Sequence, residues 1–227
     1  KSNVVSDRNF ESGEPNKFFT KPYKVVEIEV EYPRNSCTPL EGFVVHSEYD
    51  NASGVYNVKS NFQGPFSLHS VLSRALKVDE GNLRLISFEN SGGSFGIKQA
   101  IMPMIILTCL ASRLCNKQVV WVEDRMEHLT AASSATGRLT KIKASIDDQG
   151  TIHALDYDQI DDVGAYPRAP EPASLYRMHG NLSGAYKVKN IRCRNRVILT
   201  NKTPSGLNRG FGGCLLYTSP SPRDSIR

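Results

Sequence analysis

Apolar residues alternate along some stretches of the chain and recur every three or four residues in others, and the two periods predict different elements. Val25, Ile28 and Val30 begin a stretch, Lys24 to Tyr32, that reads as a strand and is broken by Pro33-Arg34-Asn35. Gly42 to Tyr49 and Val55 to Val58 give two further strands around the turn signal Asp50-Asn51. Leu68, Val71, Leu72, Ala75 and Leu76 fall at helical spacing. Leu83 to Phe88 is a short strand, followed by a Gly/Ser loop from Asn90 to Gly96. A long apolar helix is expected over Gln99 to Cys115, with Pro103 in its first turn, where the missing N–H costs nothing. Val119 to Glu123 is a strand, and Leu139 to Ile146 and Thr151 to Gln159 flank Asp147-Asp148-Gln149-Gly150 as a hairpin. Pro167, Pro170 and Pro172 mark an irregular loop, Ile191 to Thr200 a last strand, and Asn201 to Gly213 a polar, Gly-rich loop. Mixed strands and helices with antiparallel hairpins indicate an α+β fold, with mixed sheets packed against helices.

Two ends stand apart. Residues 1–20 are polar, carry Gly13 and Pro15, and read as a linker from a preceding domain. After Gly213 the chain turns Ser/Pro-rich without periodicity, and Cys214 to Asp224 resembles the translation of a transposase-type sequencing adapter. Residues 214–227 are therefore set aside as an artefact tail, which leaves residues 21–213 as one partial, truncated domain.

Composition narrows the function. The chain of 227 residues is 39% hydrophobic and 22% charged, enough apolar material for a core. Its net charge of +5 is spread thinly, without the basic stripe of a nucleic-acid binder. The longest apolar run, Ile101 to Leu110, contains Pro103 and is too short to span a bilayer, so no membrane contact is expected. Cys37, Cys109, Cys115, Cys193 and Cys214 include no C-x-x-C pair and do not form a disulfide framework; they read as free thiols of a cytoplasmic protein. His46, His69, His128, His153 and His179 are as scattered, and no protein-ligated metal is expected.

Two loops carry candidate chemistry. Gly92-Gly93-Ser94-Phe95-Gly96-Ile97-Lys98 lies between a strand and a helix, where small residues admit a ligand to the backbone and free amides attract anions. It matches neither the P-loop nor the dinucleotide fingerprint, and read alone it is either a plain connection or a ligand loop. Arg209-Gly210-Phe211-Gly212-Gly213 places one charge inside a second Gly-rich turn, which alone reads equally as a surface loop. Together, two such loops suggest one large anionic ligand gripped by backbone amides.

With their neighbours, these loops resemble the molybdenum-binding large subunit of the xanthine dehydrogenase, aldehyde oxidase and carbon monoxide dehydrogenase family. The resemblance runs from about Lys21 to Gly213 in five ordered blocks: Ser36 to Glu41, Asn61 to Phe66, Gly92 to Lys98, Val122 to Glu127 and Asn201 to Gly213. It implies the first molybdopterin-binding domain of an oxidoreductase of the hydroxylase or aldehyde dehydrogenase type. The implied cofactor is a molybdenum-molybdopterin, in its cytosine dinucleotide form, whose dithiolene brings the metal ligands. The implied partners are a small 2Fe-2S subunit, an FAD subunit and a small-molecule substrate, an aldehyde or N-heterocycle hydroxylated with water as oxygen source. Matching positions give Gln63 as donor to an oxygen ligand of the molybdenum, and Gly93, Phe95 and Gly96 as backbone against the cofactor. Gly210, Phe211, Gly212 and Gly213 match the second cofactor loop, Arg209 the substrate-orienting and charge-stabilising Arg, and Gln99 a substrate-contacting position. Glu41 and Arg125 are expected in structural roles, in a buried hydrogen bond or an ion pair.

Departures refine the expectation. Purine-hydroxylating members carry Glu where this chain has Gln99, and copper-type carbon monoxide oxidisers carry Cys where it has Gly210. Ser94 and Ile97 replace family glycines. The family's general base, a Glu, and its second cofactor domain match nothing up to Gly213, so the fragment alone is expected to be inactive. A non-catalytic cofactor-binding or scaffold paralogue, or a carbon monoxide dehydrogenase-like subunit, are the alternatives.

Overall fold

The computed structural model describes residues 2–20, 24–168, 182–184 and 186–210. In chain order its strands are β1 (Val4–Ser12), β2 (Lys24–Tyr32), β3 (Val44–Asp50), β4 (Val55–Ser60), β5 (Leu83–Ser87), β6 (Val119–Val122), β7 (Gly137–Ile146), β8 (Ile152–Asp162) and β9 (Asn190–Ile198). The α-helices are α1 (Pro15–Thr20), α2 (Pro65–Leu76), α3 (Met102–Cys115) and α4 (Arg125–Ala131), with 3-10 turns at Glu80–Asn82 and Ile97–Ile101. The mixture is α+β, as the periodicity predicts.

The chain forms two compact units. The first takes the chain up to Asn35, Ser134–Ser205 and, among the described residues, Gly210; the second takes Ser36–Ser133 and Gly206–Arg209. The chain passes from one to the other and back, so no single composition shift marks the boundary.

The first unit is a five-stranded sheet in the order β1-β9-β8-β7-β2, with β8 and β9 parallel and the other pairs antiparallel. Residues 1–20, expected as a linker, instead contribute β1, paired with β9 from Val4 to Ser12, and α1. Polarity misleads here because β1 is an edge strand with almost no buried residue. Its Asp7 pairs with Arg194 at 2.8 Å, as a charged edge strand can. The registers place Glu27, Lys143, Asp156, Arg192 and Glu11 in one row across all five strands, so that charge alternates along it. Glu27–Lys143 at 3.0 Å and Asp156–Arg192 close neighbouring pairs. Such surface pairs contribute at most about 1 kcal/mol each, but they fix the register of a sheet whose outer face is polar.

The opposite face grades from apolar to ionic. Ile142, Leu155, Tyr157, Ile191 and Cys193 form a core cluster, and farther along the strands the Arg138 guanidinium grips Asp161 through two bonds of 2.6 and 2.9 Å. Asn195 donates to the same carboxylate at 2.6 Å. Both ions are buried, and their mutual pairing offsets their desolvation.

The second unit holds a four-stranded sheet, β5-β4-β3-β6, with β4 and β5 parallel. Helices α2 and α3 pack on it, joined by a core of Val45, Tyr56, Val58, Leu68, Leu72, Ile101 and Ile105. Gly64, at φ +70°, caps α2 and Pro65 opens it; Lys77, at φ +56°, closes it. The turn at 97–101 and α3 form a continuous stretch, Ile97–Cys115, long and apolar enough by length and composition to cross a membrane, where the sequence run alone is too short. In this fold it is a core helix. Ile97, Ile101, Ile105 and Cys109 are buried, Thr108 hydrogen-bonds Ser47 at 2.8 Å, and the Ser112 hydroxyl accepts from the Tyr49 N–H at 2.9 Å. Residues 211–227, with the tail set aside above, and most of the proline-marked loop after Pro167 lie outside the described residues.

This packing predicts an asymmetric response along α3. Ile105→Ala should lower the free energy of unfolding in urea by about 2–4 kcal/mol, while Leu114→Ala, at an exposed position, should change it by less than about 0.5 kcal/mol. Equal losses at the two positions would contradict the core role of this helix.

Candidate functional site

The second unit assembles the matching blocks around a buried lysine. The Lys98 side chain is wholly buried, and its ammonium donates to Glu41 Oε1 at 2.6 Å. Glu41 Oε1 also accepts from Asn61 Nδ2 at 2.5 Å, and Oε2 accepts from the Gly92 N–H at 2.8 Å. Lys98 reaches the Gly92 carbonyl as well, at 3.5 Å. One carboxylate thus ties together the two ends of the 92–98 loop and the segment that leads to Gln63. The Lys98 ammonium beside it, helped by the Asn61 and Gly92 donors, pulls the Glu41 carboxyl from its ordinary 4.5 down to about 2. A Cβ at Gly92 would lie 2.9 Å from the Glu41 side chain, so the loop closes only over glycine.

The middle of this loop is strained. Phe95 has φ +53°, unusual for a side chain of its size, and Gly96 follows at φ +108°. A Cβ at Gly96 would stand 2.8 Å from the Leu207 carbonyl oxygen, so the close approach of the 206–209 segment needs glycine. The strain aims the Phe95 carbonyl at two donors, the Arg209 N–H at 2.6 Å and the Cys37 thiol at 3.6 Å. The Cys37 Sγ also lies 3.1 Å from Asn208 Oδ1, so its single proton is shared between the two oxygens. Burial pushes the Cys37 thiol up, which keeps it protonated as a donor. Arg209 is thereby placed beside Phe95 with its own side chain exposed.

The remaining expected residues divide. Gln63 is exposed, and its Oε1 accepts from the Ser94 hydroxyl at 2.5 Å. Gln99 is half-buried, with Nε2 donating to Ser67 Oγ at 3.0 Å. Gly93 lets the Phe95 ring lie across it, since a Cβ there would meet the ring at 2.8 Å. Gly210 has φ +80°, while Phe211, Gly212 and Gly213 lie outside the described residues. Arg125 donates to the carbonyls of Pro39 and Leu40 at 2.8 and 2.9 Å, and so holds the segment that carries Glu41. Gln63, Gly93, Phe95, Gly96, Gln99 and Arg209 therefore belong to one unit.

Sequence reasoning misses Ser67 as a partner of Gln99 and reads Ser94 only as a departure from glycine. It also misses α4, although Asp124 and Glu127 form a capping box whose spacing is visible in the sequence. The buried pair of Glu123 and His128, at 2.8 Å, braces this region, with Glu123 Oε2 also accepting from the Phe43 N–H at 3.0 Å. An open cavity of about 410 Å³ beside the β3–β4 turn is lined by Tyr49, Asp50, Asn51, Asn116 and Lys117, and none of the expected site residues borders it.

The site is a surface of hydrogen-bond donors: an exposed amide, an exposed guanidinium and strained backbone. Among the described residues no three His, Cys, Asp or Glu side chains stand together as metal ligands. Comparison with known proteins gives this surface a context. Residues 1–218 match the molybdopterin cofactor-binding domain family. The chain is 28% identical over 94% of its length to 26% of the 6-hydroxypseudooxynicotine dehydrogenase complex subunit gamma of Paenarthrobacter nicotinovorans. It is 28% identical over 78% of its length to 22% of the carbon monoxide dehydrogenase large chain of Hydrogenophaga pseudoflava. The crystal structure of quinoline 2-oxidoreductase from Pseudomonas putida 86 superposes with a TM-score of 0.84 at 26% identity, covering 92% of this chain and 27% of that one. The chain thus spans about a quarter of the length of these relatives.

The low pKa of Glu41 makes the loop acid-sensitive in a defined window. Its stabilising contribution is complete above the unfolded value near 4.5 and is lost as pH falls toward the folded value near 2. With about a third of the carboxylate side chain exposed, water screens the pair, and the loss should be about 1–2 kcal/mol. Urea unfolding between pH 6 and 2.5 should show this slope, and Glu41→Gln should lower stability at pH 6 and flatten it. An unchanged slope in that variant would remove the clamp from the account.

Proposed function

The chain belongs to the molybdopterin cofactor-binding domain family, and we propose that it is part of the large subunit of a molybdenum hydroxylase acting on an N-heterocycle or an aldehyde. The observation that carries this reading is the meeting of Gln63, the Phe95–Gly96 backbone and Arg209 on one clamped loop. The donor set fits a group that brings its own metal ligands, because these residues offer hydrogen bonds and charge. The quinoline and pseudooxynicotine relatives support the substrate class, and Gln99 in place of a carboxylate argues against a purine. The cofactor is proposed in its cytosine dinucleotide form, and 2Fe-2S and FAD subunits are proposed to accept the electrons. We place the assembly in the cytoplasm, where thiols such as Cys109 and Cys193 stay reduced.

When bound, the cofactor supplies two-electron oxidation, with water as the source of the oxygen added to the substrate carbon. The chain's own residues do the rest. Gln63 would meet the cofactor with its amide N–H₂, a donor that neither gains nor loses charge. The backbone of Phe95 and Gly96 would lie against the cofactor, its left-handed course held by the close approach of Leu207 to Gly96. Arg209 would offer its planar guanidinium fork to the electronegative atom of the substrate, an attraction that grows as negative charge builds there. Arg209 is a hydrogen-bond donor in this arrangement and is not assigned the role of base. That role falls to a Glu outside residues 1–213, and the 227-residue chain alone is expected to be inactive.

The test uses the full-length subunit with its partners. An N-heterocycle or an aromatic aldehyde should be turned over more efficiently than xanthine, and Gln99→Glu should raise purine turnover. Arg209→Lys should lower kcat/KM by about 10²–10³-fold. Comparable efficiency on xanthine would overturn the substrate class. Preferential oxidation of carbon monoxide would favour the second reading, suggested by the carbon monoxide dehydrogenase relative. Molybdenum bound at full occupancy without turnover of any substrate would favour a scaffold paralogue.

A further inference from the structure

Ser94 departs from the glycine of the family pattern, and its surroundings give it a task. Its Oγ lies 3.3 Å from the Gly96 N and 3.2 Å from the Lys98 N, and accepts a hydrogen bond from each. A hydroxyl has two acceptor positions and one proton. With both acceptor positions filled, only the proton remains, and it points at the Gln63 side chain 2.5 Å away. A third donor aimed at the same oxygen would leave three N–H groups on two lone pairs and the hydroxyl proton without an acceptor. The Gln63 amide must therefore present its oxygen to Ser94.

We propose that Ser94 is a positioning residue that fixes the orientation of the Gln63 amide, holding Oε1 against the loop and turning the Nε2 donor outward to the ligand. An amide rotates by half a turn with little change of shape, so packing alone discriminates poorly between its two ends. Gln63 is exposed, and no other side chain is bonded to its oxygen among the described residues. The choice between presenting a donor and presenting an acceptor rests on one hydroxyl proton. That hydroxyl is itself held by the turn that begins at Ile97 and carries the buried Lys98. The clamp on the loop is in this way transmitted to the polarity of the site.

That the outward Nε2 meets a cofactor rests on the function proposed above; the orientation itself does not, and the two can be tested apart. The first arm needs no cofactor. In the 227-residue chain with ¹⁵N-labelled glutamine, the Gln63 Nε2 protons should show only weak NOEs to the β-protons of residue 94, and the side-chain amide should be ordered. Ser94→Thr keeps both acceptance and donation and should reproduce the wild type. Ser94→Asp keeps the acceptance from Gly96 and Lys98 but has no proton to give, so the amide should turn over and bring an Nε2 proton into strong NOE contact with position 94. If Ser94 served only to cap the turn, Ser94→Asp would leave the Gln63 signals as they are, and that result would overturn the proposal. A strong NOE already present in the wild type would overturn it as well.

The second arm uses the loaded full-length protein. Ser94→Thr should keep kcat, and Ser94→Asp should lower it by about 100-fold with metal content preserved. Turnover of Ser94→Asp equal to wild type, with the amide shown to be inverted, would detach Gln63 from the proposed chemistry while leaving its orientation by Ser94 in place. Inverted amide and lost turnover together would support both.

Discussion

A lysine with no exposed side-chain surface has to be paired, and the pairing of Lys98 with Glu41 is the constraint on which the candidate site depends. An unpaired ammonium in that position would cost several kcal/mol or lose its proton. Glu41 answers it, and in doing so accepts from Asn61 and Gly92, which come from other parts of the chain. The segments around 41, 61 and 92–98 therefore converge because one buried charge requires a full set of partners. Arg125 extends the arrangement outward by holding the carbonyls of Pro39 and Leu40, so the fourth block supports the first. These residues need no direct contact with a ligand; the clamp accounts for where they stand.

The fixed ends of the loop then allow strain in its middle. A non-glycine residue in the left-handed region costs about 1–2 kcal/mol. At Phe95 that cost is offset by a carbonyl that meets two donors, the Arg209 N–H and the Cys37 thiol. Arg209 lies 111 positions beyond Lys98 in sequence, yet it is set beside the loop by a backbone bond rather than by its own side chain. Its side chain is exposed. Gly96 makes the approach possible, since any Cβ would strike the Leu207 carbonyl oxygen.

Periodicity finds strands β2 to β9 and the longer helices α2 and α3 because their cores are built from regular apolar spacing, as with Leu68, Leu72 and Leu76 on α2, while the short α1 and α4 escape it. It fails at β1, where an edge strand has little to bury and its pairing is written in Asp7 and Arg194, far apart in sequence. The division into two units, which the chain crosses more than once, leaves no local mark in the periodicity. At the site, glycine and phenylalanine mark the strained loop, and the glutamines and the arginine are visible as types. Their partners are not. Nothing local to Lys98 says that it is buried, and nothing local to Ser94 or Ser67 says which way their protons go, because each depends on a neighbour brought in by the fold.

Ser67 completes the comparison. Its hydroxyl donates to the Gly64 carbonyl at 2.8 Å, so its oxygen can meet Gln99 only as an acceptor, and Gln99 presents Nε2 to it at 3.0 Å. Gln99 consequently turns its oxygen away from α2, while Gln63, governed by a serine that donates, turns its nitrogen away from the loop. Two chemically identical side chains thus show opposite polarity, each set by where a serine proton is already committed. A carboxylate at position 99 would have no proton for Ser67 when ionised, and Ser67 would have to withdraw its own from Gly64, the residue that caps α2 in a left-handed conformation. The amide at 99 is therefore tied to the start of α2 through the proton that Ser67 gives to Gly64.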